Sequence, residues 1–298
     1  MTTPNLSVVV PSVNGWTDLQ GCLAALQADS RDLAVEVLVV DRIGEPVRRS
    51  LKEKFPGVRL IEVAPGTTIP DMRAIAIAQA RAPLIAVIED HVLVPQGWAR
   101  ALVEAQAQHG GVVGGAVYNA ATRRLVDWAA FLCEYSHLLP PLPAGPSTWL
   151  TGNNTIYPRP ALEAQRQALE AGRWEDYLHR ELLESGVTLT CCPEIVVAHK
   201  KHYTVGEYLT QRYWYARSFA GGRVAGRPAA VRLAYGLAAM ALPPMLWTRT
   251  VKRVWTKRAH RGELVRSMPL IGLFVCAWGL GEAVGYWRGP GDALSRVC

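Results

Sequence analysis

The sequence predicts an α/β protein: a doubly wound, mainly parallel sheet followed by amphipathic and hydrophobic helices at a membrane. Short β-branched runs alternate with segments of helical period, which is typical of parallel strands joined by helices. Half of the 298 residues are hydrophobic and 19% are charged, which excludes a disordered chain and a small disulfide scaffold. Two stretches near the C-terminus carry almost no charge.

The first third of the chain contains four strand-like apolar runs, at 7–10, 35–40, 58–63 and 84–88. A helix between the first two runs is predicted by the spacing of Leu19, Cys22, Leu23 and Leu26. Another helix is predicted over 71–81, before the fourth strand. Ligands of such sheets bind at the carboxyl ends of the strands, so polar residues there are candidates for a site.

The middle of the chain is less regular. A strand at 112–118 precedes a helix near 122–137, and a proline-rich loop covers 139–148. A helix is predicted at 176–185, and the apolar run 187–199 predicts a further strand. These elements complete a first domain at 1–220.

The remaining residues, 221–298, are predicted to form a membrane-associated helical region. Residues 233–248 carry no charge, and residues 267–287 carry only Glu282. At about 1.5 Å per residue they would reach roughly 24 Å and 31 Å, whereas a bilayer core needs about 30 Å. The pair Pro243-Pro244 is expected to break the first stretch.

Charge also bears on membrane placement. The net charge is +7, and residues 249–266 hold seven Lys or Arg and one Glu. If 233–248 spanned the bilayer, this basic stretch would lie outside, against the positive-inside rule. We therefore expect an in-plane or re-entrant segment on the cytosolic leaflet, near anionic headgroups. The N-terminus shows no signal peptide, and six cysteines without a C-x-x-C pair fit free thiols of a reducing compartment, so a cytosolic catalytic domain is expected.

Candidate ligands follow two of the predicted strands. Asp41 ends the second strand, where its carboxylate could bond a nucleoside or simply be a solvated turn residue. Glu89, Asp90 and His91 follow the fourth strand. Because side chains alternate along a strand, Glu89 and His91 should share one side and could bind a divalent cation. Mixed nitrogen and oxygen ligands suit Mn²⁺ better than Mg²⁺, and the plainer alternative is a polar strand end without a metal.

Six segments in order resemble the family 2 glycosyltransferases of the GT-A fold, over roughly residues 5–220. They are SVVVPSVNG, VEVLVVDRIG, PLIAVIEDHVLVPQGW, TGNNTIYPRPAL, WEDYLHRELLESG and QRYWYAR. The third resembles the strand that carries the D-x-D motif of the family. The fifth resembles the E-D segment that carries its catalytic base.

The resemblance implies roles for individual residues. Asp176, with Glu175 as the second choice, would be the catalytic base, or both would cap the following helix. Gly152, Asn153 and Asn154 would lie on the acceptor side. Metal ligands would be Glu89, His91 and His199, although a lone His such as His199 is more often structural. Donor contacts would come from Pro11, Asn14, Asp41, Asp90, Gln211, Arg212, Trp214 and Arg217.

Two of these assignments have plainer alternatives. Pro11 could simply end a strand, and the segment at 211–217 could be a basic amphipathic helix on lipid headgroups.

The resemblance predicts an inverting, metal-dependent transferase that moves a sugar from a UDP- or GDP-sugar to a lipid-linked or polymer acceptor. A degenerate GT-A domain that binds nucleotide or lipid without catalysis is the alternative, favoured by Arg42 in place of the second Asp of the V-D-D-G-S segment. A nucleotidyltransferase is disfavoured because SVNGWTDL lacks a Gly-rich, basic loop. Nucleic-acid binding is not expected, because apolar and aromatic runs flank the basic stretch.

Overall fold

The computed structural model describes residues 3–29, 33–172 and 175–297, with the side chain of Asp176 outside the description. The chain forms two compact units. One contains Met1–Tyr118 and Leu138–Lys200, and the other contains Asn119–His137 and Lys201–Cys298. The expected domain boundary at residue 220 stays a prediction.

The first unit is built on one mixed sheet of nine strands. They are β1 (Leu6–Ser12), β2 (Val35–Asp41), β3 (Arg59–Glu62), β4 (Leu84–Val87), β5 (Val92–Leu93), β6 (Val112–Asn119, whose last residue falls in the second unit), β7 (Gly145–Pro146), β8 (Thr155–Pro158) and β9 (Leu189–His199). The order is β3-β2-β1-β4-β8-β6-β9-β5, with β7 beside β9. Strands β1 to β4 are parallel, as predicted, and the pairs formed by β8 with β4 and β6, and by β9 with β5 and β7, are antiparallel.

The first unit also contains the helices that connect these strands. They are α1 (Trp16–Asp29), α2 (Val47–Lys54), α3 (Ile69–Gln79), α4 (Trp98–His109), α6 (Arg159–Ala164), α7 (Arg166–Glu170) and α8 (Asp176–Glu184). Helix α5 (Leu125–Tyr135) belongs to the second unit. The core of the first unit is aliphatic, and Val9, Leu38, Val87 and Met72 are fully buried in it. Helix α3 starts two residues earlier than predicted, because the Thr68 side chain caps it by accepting from the Asp71 N–H.

The second unit is helical. Besides α5 it contains α9 (Val205–Arg223), α10 (Ala229–Ala238), α11 (Leu242–Lys257) and α12 (Arg261–Arg288). Ala229–Lys257 and Arg261–Arg288 are each long and apolar enough to cross a membrane, judged by length and composition alone.

The α-helix is interrupted directly before Pro243-Pro244, close to the expected break. The chain passes through a 3₁₀ turn at Ala239–Ala241, and the two prolines then occupy the first turn of α11. The first turn of a helix has no intrahelical acceptors for its N–H groups, so proline costs little there.

Candidate active site

Several chain segments reach one edge of the sheet, where the parallel strands end. Strand β8 runs antiparallel to β4 with Val87 opposite Thr155, so the residues before β8 return to this edge. Strand β9 is antiparallel to β5, and its last residue, His199, lies opposite Val92. This register places His199 beside the segment that follows β4.

Glu89, His91 and His199 come together at this edge. One ligand atom from each lies within 4.8 Å of the others. The Nε2 atoms of the two histidines are 2.9 Å apart, and Nε2 of His91 is 3.3 Å from Oε2 of Glu89. These separations match neighbouring ligands placed about 2.1 Å from one small divalent ion. Both imidazoles are buried and the carboxylate is half-buried, so the three donors fit a metal site open on one side.

Asp90 lies behind His91 rather than beside the other two ligands. The chain leaves strand geometry after Val87, and a turn carries Asp90 towards the first loop. Its fully buried carboxylate accepts from the backbone N–H groups of Val13 and Asn14 at 2.7 and 2.8 Å. Its Oδ1 is 3.1 Å from Nδ1 of His91, which orients the ring so that Nε2 faces Glu89 and His199.

This network also accounts for the charge state of Asp90. Burial alone would raise the pKa of Asp90, but hydrogen bonds from His91, Val13 and Asn14 together lower it below its ordinary value. Asn14 contacts both residues, with its Nδ2 at 2.5 Å from Oδ1 of Asp90 and 3.1 Å from Nδ1 of His91. The structure therefore gives Asp90 and Asn14 a positioning role, and their predicted donor contacts stay predictions.

Arg73 is a residue of this region that the sequence reasoning missed. It is buried on α3, 3.6 Å from Oε1 of Glu89, and its Nη2 donates to the carbonyl oxygen of Gly152 at 3.2 Å. Burial alone would raise the pKa of Glu89, but the hydrogen bond from His91 and the charges of His91, Arg73 and His199 hold it well below its ordinary range. His91, with smaller contributions from Arg73 and His199, thus keeps Glu89 ionised and ready to bind a cation.

Glu175 reaches the same region, where its carboxylate accepts a hydrogen bond from Gly152. Its Oε1 accepts from the backbone N–H of Gly152 at 2.5 Å. A Cβ added at Gly152 would lie 2.5 Å from that oxygen, so only glycine admits the carboxylate. Glu175 has a φ of 49°, a backbone conformation that costs a non-glycine residue about 1–3 kcal/mol. The next residue along, Asn153, donates through Nδ2 to Oε2 of Glu89 at 3.2 Å.

Two other predicted residues are placed differently. Asp176 begins α8, and its side chain lies outside the described residues. Asn154 is fully buried, where its carboxamide accepts from Trp98 and donates to two backbone carbonyls. An acceptor-side role suits Gly152 and Asn153 better, because Asn154 points into the protein.

Asp41 is fully buried at the end of β2. Its Oδ1 accepts from the Ser12 hydroxyl at 2.9 Å, and its Oδ2 accepts from the Gly44 N–H and from Arg48 Nε at 2.9 and 2.8 Å. Pro11 is buried within β1. Both oxygens of Asp41 therefore bind groups of the chain itself, and its predicted contact with a nucleoside stays a prediction.

The other predicted donor contacts lie on α9, in the second unit. The Arg212 guanidinium stacks 3.9 Å from the centre of the Trp278 ring. Arg217 lies over Trp214 and donates from Nε to the carbonyl of Gly289 at 3.2 Å. Gln211 is half-buried on the same helix. These contacts lie inside the helical unit, and the predicted grip on a donor stays a prediction.

The sequence matches the family model "Glycosyl transferase family 2" over residues 7–160, more than half of the chain. The chain belongs to glycosyl transferase family 2. The matched range includes Glu89, His91 and Gly152, whereas Glu175 and His199 lie beyond it. Glycosyl transfer is thus the activity that family membership supports. Among curated protein sequences, no significant match was found.

Two solved structures show the fold of this family 2 chain. One is TarS 1–349 of S. aureus, with a TM-score of 0.51, 12% identity, and coverage of 94% of this chain and 90% of that one. The other is the mannosyltransferase PcManGT from Pyrobaculum calidifontis in complex with GDP-Man and Mn²⁺, with a TM-score of 0.56, 14% identity, and coverage of 94% and 87%. The likeness confirms the predicted GT-A-type α/β fold.

Proposed function

We propose that this protein is an inverting, metal-dependent glycosyltransferase that moves one sugar from a UDP- or GDP-sugar to a lipid-linked acceptor at the cytosolic face of a membrane. The observation that carries the proposal is the convergence of Glu89, His91 and His199, held by Asp90 and Arg73. It lies at the sheet edge where ligands of α/β proteins bind.

The metal would be held by the carboxylate of Glu89 and the Nε2 atoms of His91 and His199. Two nitrogens and one oxygen suit Mn²⁺ better than Mg²⁺, which prefers oxygen ligands. When bound, such a cation neutralises charge on the leaving diphosphate. The presence of GDP-Man and Mn²⁺ in PcManGT supports this choice of donor class and metal.

The chain's own contribution to the chemistry would be a base for the acceptor hydroxyl. Glu175 is the better-supported candidate, since a strained backbone and the Gly152 N–H aim its carboxylate into the site. Asp176, the first choice from sequence, remains a candidate. A single displacement by the deprotonated hydroxyl inverts the anomeric centre, and an acceptor phosphate would need no base.

A lipid-linked acceptor is supported by the surface of the helical unit. Large apolar side chains are more than half exposed at Leu233, Leu237, Met240, Met245 and Leu280. Large exposed apolar side chains gathered on one helical unit support a contact with a membrane or a protein. The basic stretch 249–266 favours the cytosolic leaflet, which is negatively charged.

One observation favours the second candidate, a GT-A domain that binds without catalysis. Asp41 is sealed by Arg48 and Ser12, and the neighbouring Arg42 donates to the carbonyl of Thr67. Asp41 thus offers a nucleoside no open carboxylate at this strand end.

The test is release of nucleoside diphosphate from a panel of UDP- and GDP-sugars by purified protein with membrane lipid extract. The proposal expects turnover that EDTA abolishes and Mn²⁺ restores. Tight nucleotide-sugar binding without release of diphosphate would favour the non-catalytic domain instead.

A further inference from the structure

We propose that Arg249, Arg253 and Lys257 of α11 form a site for the phosphate of an anionic membrane phospholipid. The inference rests on the membrane placement in the proposed function, but its measurement needs neither a donor nor an acceptor, so it can fail while glycosyl transfer stands. It assigns a role to a particular part of the basic stretch, not to its charge as a whole.

The three residues form one stripe. They are spaced four apart on α11, so their side chains lie one above another on a single face. Helix α11 packs against α5, and His137 lies two residues beyond the end of α5. All three cations act on His137, which places the stripe against the C-terminal end of α5.

This stripe has an excess of positive charge. Within the described part of the chain, the side chains of Arg249 and Arg253 make no hydrogen bond or ion pair. Burial, followed by Arg253, Arg249 and Lys257, lowers the pKa of His137 to about 4. Burial and then Arg249 also lower the pKa of Arg253. Arg249 and Arg253, one turn apart on this face, are the members of the stripe whose side chains a phosphate could bind.

The stripe continues into apolar surface. Met245 lies four residues before Arg249 on the same face and is 52% exposed. Met240, in the 3₁₀ turn that precedes α11, is 70% exposed. A phospholipid would match both the basic and the apolar part of this surface. An arginine can bind two phosphate oxygens at once, and the methionines would contact the acyl chains. A soluble phosphate would leave the methionines uncovered.

Non-specific electrostatic attraction to a membrane and a defined phosphate site predict different effects of removing a basic residue. Near an anionic surface each Lys or Arg contributes about fivefold in affinity wherever it sits on the helix. The chain provides a matched control in Lys252, Arg258 and Arg266, which are exposed in the same basic stretch but lie off the stripe.

The experiment measures binding of the full chain to vesicles of phosphatidylcholine with and without phosphatidylglycerol. The variant Arg249→Gln/Arg253→Gln/Lys257→Gln should lose at least about tenfold more affinity for the anionic vesicles than Lys252→Gln/Arg258→Gln/Arg266→Gln, which removes the same charge. Equal losses would show non-specific attraction and overturn the site.

A second readout is independent of the variants. A bound phosphate offsets the three cations, so the pKa of His137, followed by NMR, should rise from about 4 towards its ordinary 6.5 when short-chain phosphatidylglycerol is added. Short-chain phosphatidylcholine should cause a smaller rise. An unchanged His137 would contradict the proposal, and an equal rise with glycerol phosphate would overturn the lipid as the occupant.

Discussion

Glu175 holds its position because Gly152 has no side chain. Gly152→Ala would place a Cβ 2.5 Å from Oε1 of Glu175 and push the carboxylate out of the site. We expect kcat to fall by about 10²-fold, the size of effect that a misplaced catalytic group produces. Gly57→Ala is the control, since nothing lies within 4 Å of a Cβ there. Steady-state transfer kinetics check this, and an unchanged kcat in Gly152→Ala would remove Glu175 from the chemistry.

The two carboxylates of the E-D pair can be separated by isosteric changes. If Glu175 is the base, Glu175→Gln should lower kcat by about 10²-fold or more while nucleotide-sugar binding persists, because general bases contribute 10²–10⁴. Asp176→Asn should then have a much smaller effect. A larger loss of kcat in Asp176→Asn than in Glu175→Gln would assign the base to Asp176. An unchanged kcat in both variants would indicate an acceptor that is already ionised.

His179 makes stability depend on pH. It is fully buried, Tyr157 lies 2.8 Å from its Nε2, and burial lowers its pKa to about 4 from 6.5. Because the unfolded chain takes up a proton first, stability is full above about pH 6.5 and falls as the pH drops towards 4. Between pH 7 and pH 5 the loss is about 2 kcal/mol.

Urea unfolding at the two pH values checks this, with His179→Gln as the comparison. The variant removes the titrating group but keeps a polar side chain for Tyr157. We expect a smaller pH dependence in His179→Gln than in the wild type. An equal dependence would assign the effect to other groups, such as His137.

At the scale of elements, α12 packs closely against the polar helix α9. A Cβ at Gly281 would lie 2.3 Å from the carbonyl oxygen of Tyr213, and one at Gly285 would lie 2.4 Å from that of Arg217, so α9 and α12 touch along their backbones. Helix α9 also carries Arg212 and Arg223. If α12 crossed a bilayer, α9 would take these charges with it, at about 2.5–3.5 kcal/mol each near the centre.

Glu282 fits this interpretation. Its buried carboxylate accepts from Trp278 Nε1 at 2.7 Å and from the Tyr286 hydroxyl at 2.9 Å. The only acidic residue of the apolar stretch therefore faces the interior of the helical unit, not lipid. In an in-plane placement Glu282 stays buried in the helical unit, and the exposed apolar side chains of α10 and α11 contact the membrane.

Cysteine labelling tests the placement of the helices. In a background in which the six native cysteines are replaced by serine, single cysteines at Thr256→Cys and Asp292→Cys should react with a membrane-impermeant reagent only after cells are permeabilised. Glu53→Cys on α2 serves as the reference for the catalytic domain. External labelling of Thr256→Cys in intact cells would show that the helices span the membrane and contradict the in-plane prediction.

Much of the sheet could be predicted from sequence. Strands β1 to β4 are apolar runs bounded by polar residues, and the helices between them follow a clear period. Strand β8 was missed because Thr155–Pro158 is short, ends in proline and follows polar residues. Strands β5 and β7 have two residues each, which no periodicity can reveal. The antiparallel pairing of β5 with β9 is what brings His199 to the site.

The candidate site was predictable only in part. Alternation and the resemblance identified Glu89, His91 and His199, which the structure brings together. Arg73 could not be found, because its contact with Gly152 joins residues 79 apart in sequence. The sealing of Asp41 likewise depends on tertiary contacts, although Arg48 seven residues later was a visible partner.

For the whole molecule, the central claim is that this family 2 chain binds a divalent cation through Glu89, His91 and His199. Binding of Mn²⁺ measured by electron paramagnetic resonance tests it without any need for donor or acceptor. Exposed His109 on α4 provides a control histidine of the same unit. We expect one Mn²⁺ site per chain in the wild type and in His109→Ala, and its loss in His91→Ala and His199→Ala. Equal Mn²⁺ binding in all four proteins, or none in the wild type, would contradict the account.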